Sequence, residues 1–143
     1  MAALARCKMQ AMARRILVID DSAICLESTR MALEDGGYEV ITTSDPMQLP
    51  ELIRDRRPQM ALVDVEMPKI NGARLVELCR ISGLNQGMVI ILHSGRAPDE
   101  LPDLAYRVKA AHYLHKTDDV DAFVRQVNEL FDRYVGRSVS GEL

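Results

Sequence analysis

Four short apolar, β-branched runs, each closing on reactive polar side chains, constrain this chain more than any other feature. Leu17-Val18-Ile19 closes on Asp20-Asp21-Ser22, and Leu62-Val63 closes on Asp64. Met88 to Leu92 closes on His93-Ser94-Gly95, and Ala111 to Leu114 closes on His115-Lys116. Short runs of this kind read as buried strands. In an open α/β sheet the ligand crevice lies outside the carboxyl ends of the parallel strands. Such a crevice would gather three carboxylates, a hydroxyl and an ammonium, a set suited to a divalent cation and a phosphoryl group.

Between the runs the periodicity changes to helical. A helix is predicted over Ser22 to Glu34, with a mixed face carrying Ile24 and Met31 and a stop at Gly36-Gly37. Tyr38 to Thr42 reads as a further strand. Ser44-Asp45-Pro46 opens the next helix, with a side-chain cap and a first-turn proline. Pro50 within that segment implies a kink or a late start, because an interior proline costs about 3 kcal/mol. Met60 to Val63 is the third strand in chain order, and a helix follows from Ala73 to Ile81. Pro98 and Pro102 push the next helix back to about Pro102 to Lys109. The last helix runs from Asp118 to Tyr134, with Val120, Phe123, Val124, Val127, Leu130 and Phe131 at helical spacing. Five strands alternating with five helices give a doubly wound α/β domain whose parallel sheet is covered on both faces.

A chain of 143 residues builds one real core but hardly two. The domain reading is an unstructured or artefactual extension over residues 1–13, with Met12 as an alternative start, a body over 14–134, and a flexible tail over 135–143. An added helical arm is the other reading of the extension. A net charge of −3 argues against a nucleic-acid-binding body. No apolar run is long enough to span a bilayer. Three cysteines, Cys7, Cys25 and Cys79, lack metal-ligand spacing and fit a reducing cytoplasm. His93, His112 and His115 flank strands without matching ligand partners and are read as non-ligands.

Asp20, Asp21 and Asp64 at adjacent strand ends would repel one another and raise their pKa values unless a cation is present. Mg²⁺ is the natural occupant, being hard and oxygen-seeking. One carboxylate can also act as a nucleophile toward phosphorus, and Asp64, alone at its strand end, is the better candidate. Lys116 would pair with Asp64 or with a phosphoryl oxygen. Ser94 would donate its hydroxyl to another phosphoryl oxygen.

The residues Asp20-Asp21-Ser22, Val63-Asp64-Val65-Glu66-Met67-Pro68 with Asn71-Gly72, Ser94-Gly95 and Tyr113-Leu114-His115-Lys116 together resemble the receiver domain of two-component response regulators. The resemblance runs from about Arg14 to Tyr134, and the combined motif is far more specific than any single piece. It implies a flavodoxin-like fold with strand order 2-1-3-4-5. It also implies a phosphoacceptor, Asp64, that takes its phosphoryl group from a sensor histidine kinase or a histidine phosphotransfer protein. Mg²⁺ or Mn²⁺ would be held by Asp20, Asp21, Asp64 and the backbone carbonyl of Glu66. Ser94 and Tyr113 occupy the family's switch positions, and Lys116 its lysine position. Glu66 and Arg96 occupy positions that tune dephosphorylation, either as a pair over the site or as two solvated side chains.

What the resemblance implies is a cytoplasmic signalling domain rather than a turnover enzyme. Its output would pass to a target protein through the face formed by the fourth helix, fifth strand and fifth helix, with Tyr106, Arg107, His112 and Tyr113 as candidates. A homodimer through the same face is a further assembly of this family. The chain has no membrane segment or direct nucleic-acid contact in this reading. Two departures stand out: Thr117 follows Lys116 where the family usually has proline, and Pro98 and Pro102 disturb the fourth helix. Two alternatives stay open, a phosphorylation-independent scaffold and a haloacid-dehalogenase-like phosphatase. The latter wants a second Asp where this chain has Glu66, and a cap domain.

Overall fold

A computed structural model of the chain describes residues 13–67, 72–81, 83, 86–95 and 99–136. The elements are β1 (Arg15–Ile19), α1 (Ala23–Asp35), β2 (Glu39–Thr43), α2 (Leu49–Arg56), β3 (Met60–Asp64), α3 (Gly72–Ile81), β4 (Val89–Ser94), α4 (Leu101–Val108), β5 (His112–His115) and α5 (Val120–Tyr134), with a short 3₁₀ turn at Pro46–Gln48. All strand pairs are parallel, in the order β2-β1-β3-β4-β5. The flavodoxin-like topology implied by the sequence motifs is the one observed.

The strands are apolar on both sides because both faces are covered. Leu17, Ile19, Ala61, Val63, Ile90 and Leu92 face Leu49, Leu75, Val76, Ala105 and Val108 of α2, α3 and α4. Ile16, Val18, Met60, Leu62, Ile91 and Leu114 face Leu33, Phe123, Val127 and Phe131 of α1 and α5. Phe131 is fully buried, with its ring 5.4 Å from that of Tyr38 at an interplanar angle of 60°. Arg14 lies 4.3 Å from the centre of the Tyr38 ring, and the Tyr38 hydroxyl donates to Asn128 Oδ1 at 2.6 Å. This clamp closes the amino-terminal pole of the sheet, opposite the carboxylates. Phe131→Ala is expected to cost about 3–5 kcal/mol, from lost transfer energy and a cavity, read by urea denaturation.

Helix starts follow local chemistry. Ser22 caps α1, its side chain accepting from the Cys25 N–H, and Asp119 caps α5 by accepting from the Ala122 N–H. Asp45 caps the 3₁₀ turn, and α2 begins only at Leu49, so Pro50 falls in its first turn. That is the late start the proline demands, not a kink. α4 likewise begins at Leu101, with Pro102 in its first turn. At the end of α1, Gly37 takes φ +95° and the Tyr38 N–H closes back on the Leu33 carbonyl.

Ile24 and Met31, on the mixed face of α1, are 81% and 56% exposed, and the helix buries Thr29, Ala32 and Leu33. One expectation is corrected. Val120 is 55% exposed in the first turn of α5, off the buried stripe that follows it. The N–H groups of Val135 and Gly136 both bond to the Phe131 carbonyl at the end of α5. Residues 1–12 of the extension and 137–143 of the tail lie outside the described residues.

Candidate functional site

Asp20 follows β1 and Asp64 ends β3, and the register Ile19 to Val63 brings their backbones side by side. Both side chains are buried, whereas Asp21 is exposed. One carboxylate oxygen from each of Asp20, Asp21 and Asp64 lies within 4.8 Å of the others. Lys116, just beyond β5, places its Nζ 2.8 Å from Asp20 Oδ2 and 3.7 Å from Asp64 Oδ2. The sequence had paired Lys116 with Asp64; its shorter partner is Asp20.

Each acid is anchored by a neighbouring backbone N–H. Ser22 donates to Asp20 Oδ1 at 3.0 Å, and Glu66 donates to Asp64 Oδ1 at 3.1 Å. Burial pushes the Asp20 carboxyl up, but the Lys116 hydrogen bond and charge and the Ser22 N–H outweigh it, so the net shift is downward. Asp64 is pushed up to about 6: burial dominates, the Asp20 charge adds to it, and the Glu66 N–H and Lys116 oppose it. Burial pulls the Lys116 ammonium down, and the bond to Asp20 with the charges of Asp20 and Asp64 more than reverses this. Asp20 is therefore the acid that neutralises Lys116, while Asp64 holds a more basic, underpartnered carboxylate.

Ser94 ends β4, fully buried, and its carbonyl accepts the Lys116 N–H at 2.7 Å. The strand runs two residues further than its apolar stretch because Ser94 keeps pairing with His115. Tyr113 is half-buried in β5 against the α4 side of the core. Glu66 is exposed at the rim of the site. Arg96, Pro98 and residues 68–71 lie outside the described residues. Thr117, in place of proline, forms its own turn: its Oγ1 accepts the Asp119 N–H at 3.1 Å and leads into the α5 cap.

One residue near the site carries more than the sequence reading gave it. His93 pairs with Asp64 in register and is buried with its ring 5.3 Å from Phe123 in a near-parallel stack. Burial first, then the Lys116 charge, lower its pKa to about 4, against the opposing charge of Asp20. The folded state thus binds fewer protons than the unfolded chain between pH 4 and 6.5. Stability from this group is complete above about pH 6.5 and is lost as pH falls toward 4, by about 3 kcal/mol in all. His93→Phe, measured by urea denaturation across that window, is expected to remove this acid-side loss. Cys25, one of the three cysteines without metal-ligand spacing, is a free thiol half-buried in the first turn of α1.

The set is all oxygen donors with one ammonium, and it fits a small hard divalent cation. The family model of the response regulator receiver domain matches residues 16–128. The transcriptional regulatory protein CseB of Streptomyces avermitilis is 29% identical over 119 residues, covering 83% of this chain and 49% of that protein. The DNA-binding response regulator MtrA of Mycobacterium tuberculosis is 31% identical over 84 residues, covering 59% of this chain and 36% of its own. The chain thus spans half the length of these relatives or less. A CheY-like response regulator receiver domain protein from Methanospirillum hungatei superposes with a TM-score of 0.73 at 28% identity, covering 86% of this chain and 97% of that one. The chemotaxis protein CheY4 of Vibrio cholerae shares the fold, with a TM-score of 0.73 at 22% identity over 82% of this chain and 98% of its own.

A doubly wound parallel sheet with an acid cluster and a lysine at the carboxyl ends of its strands is the arrangement of a receiver domain, a family that generally signals rather than turns over substrate. The chain belongs to the response regulator receiver domain family of bacterial two-component systems. Receiver domains bind Mg²⁺ through an acidic pocket, and the Asp20, Asp21 and Asp64 cluster is of that kind. Among the described residues no helix is long and apolar enough to cross a membrane.

Proposed function

We propose that this chain is a cytoplasmic phosphoacceptor in which Asp64 receives a phosphoryl group from a phosphohistidine on a sensor kinase or phosphotransfer protein. The observation that carries the reading is the division of labour around Lys116, which sits 2.8 Å from Asp20 and 3.7 Å from Asp64. An acid committed to the ammonium leaves its neighbour available as a nucleophile. An Asp64 carboxylate oxygen attacks phosphorus, forming the O–P bond as the P–N bond breaks. The electron pair of that bond goes to the imidazole nitrogen of the donor. Mg²⁺ or Mn²⁺, held by the carboxylates of Asp20, Asp21 and Asp64 and the carbonyl of Glu66, would neutralise charge on the phosphoryl oxygens.

The chain's own residues do the rest. Lys116 pairs with one phosphoryl oxygen and the Ser94 hydroxyl donates to another. Tyr113 turns inward as Ser94 moves, changing the face built by α4, β5 and α5. That face presents Tyr106, 87% exposed, with Arg107, His112 and Tyr113, and a target protein or a second copy of the chain would dock on it. Glu66 and Arg96 would modulate the lifetime of the phosphoryl group.

Incubation with Mg²⁺ and acetyl phosphate, followed by intact mass, is expected to give a single labile phosphoryl adduct. No adduct on a folded, Mg²⁺-binding protein would overturn the proposal in favour of a phosphorylation-independent scaffold.

A further inference from the structure

The ring of His112 lies 4.8 Å from the ring of Tyr113, with only 21° between their planes. Consecutive strand residues point to opposite faces of a sheet. Two such rings stack only if both curl around an unpaired strand edge, and β5 is an edge strand. His112 Nδ1 also accepts the Tyr113 N–H at 2.9 Å, which pins the imidazole to the backbone of the residue it stacks on. From α5, the Tyr134 ring meets His112 at 6.3 Å and 54°. Tyr113, half-buried against the α4 side of the core, thus stacks on a ring that is itself held from two directions.

We propose that His112 is a positioning residue that latches Tyr113 in its resting position and so sets the balance between the resting and switched states. This rests on Ser94 and Tyr113 being the switch pair. An inward turn of Tyr113 must break the stack, so the stack raises the cost of the switched state alone. Groups that bind only the switched state then bind more weakly than they otherwise would.

The test uses the full chain with beryllofluoride and Mg²⁺ as the phosphoryl mimic, its affinity measured by calorimetry. His112→Ala is expected to raise beryllofluoride affinity about two- to tenfold, the range of an aromatic pair, with Mg²⁺ affinity unchanged. His112→Phe, which keeps the stack, should bind as the parent does. The gain should vanish in a Tyr113→Leu background, since the latch acts only through that ring. An unchanged or weakened affinity in His112→Ala, a gain that persists without Tyr113, or no rescue by His112→Phe overturns the latch. A parent protein that binds no beryllofluoride counts against the phosphoacceptor reading instead. NMR of labelled tyrosines in the unliganded chain then decides the latch: a second Tyr113 rotamer in His112→Ala supports it, and a single unchanged one overturns it.

Discussion

Lys116→Met is expected to lower stability by about 3 kcal/mol in metal-free buffer, and Mg²⁺ is expected to restore most of that loss. Removing one member of a buried ion pair costs about 3–5 kcal/mol because the remaining charge is stranded. Asp20 is that remaining charge, its side chain only 4% exposed, while the Lys116 side chain is 26% exposed. Water already reaches the ammonium, so the low end of the range applies. A divalent cation among the three carboxylates supplies the missing positive charge, so the variant should gain more from Mg²⁺ than the parent does. Parallel urea titrations with and without Mg²⁺ measure this directly. The Asp20→Asn/Lys116→Met double variant should lose less than Lys116→Met alone, because it strands no charge. A metal-free loss below about 1 kcal/mol would show that the pair behaves as an exposed surface pair. Phosphoryl uptake by Lys116→Met should also slow, since one phosphoryl oxygen loses its counter-charge.

Asp64→Asn is expected to abolish the phosphoryl adduct and, at pH 8, to make the protein more stable than the parent by about 1–3 kcal/mol. The sign follows from the raised pKa. With a folded value of about 6 against 3.8 in the unfolded chain, the native state binds more protons between those limits. Stability therefore falls as pH rises through that window, and the full cost of the buried charge is present above it. Asparagine keeps the oxygen that accepts the Glu66 N–H at 3.1 Å but carries no charge. Lys116 keeps its bond to Asp20. The gap between variant and parent should narrow as pH falls and close near pH 4. His93 contributes the opposite slope to both proteins and so cancels in the comparison. A gap that stays constant with pH would place the destabilisation elsewhere than in the Asp64 charge.

The strands and the three acids were legible because they rest on the most local signals: short β-branched runs, strand-end carboxylates and helix-stopping glycines; the strand order came only through the family resemblance of the combined motif. What the sequence hid depends on pairing across the fold. Lys116 lies 96 positions from Asp20, and no local pattern says that it prefers that acid to Asp64. The buried stripe of α1, Thr29, Ala32 and Leu33, was not marked by its conspicuous apolar residues, Ile24 and Met31, which are exposed. Packing against β1, β2 and α5 decides which residues are buried, and it is close at the end of the helix, where a Cβ on Gly36 would meet Val124 at 3.1 Å. The His112–Tyr113 stack was invisible for a similar reason, since strand alternation places those residues on opposite faces. Thr117 looked like a loss of loop definition, but its hydroxyl orders the turn that a proline would otherwise restrict.

The central place of β1 has a consequence for the chain during its synthesis. Ile16 to Ile19 are fully buried, yet one of the two strands flanking them, β3, pairs Ile16 with Met60 and Ile19 with Val63. At ribosomal speeds of about 5–20 residues per second, that side of β1 waits roughly 2–9 s for its neighbour to be made. Until then the nascent chain carries a two-strand ribbon with a long apolar edge, the kind of edge that pairs with other chains. Chains halted before residue 60 should be insoluble, whereas those that include β3 can close the middle of the sheet. The order of translation, rather than the final stability, sets the interval in which this protein most needs protection.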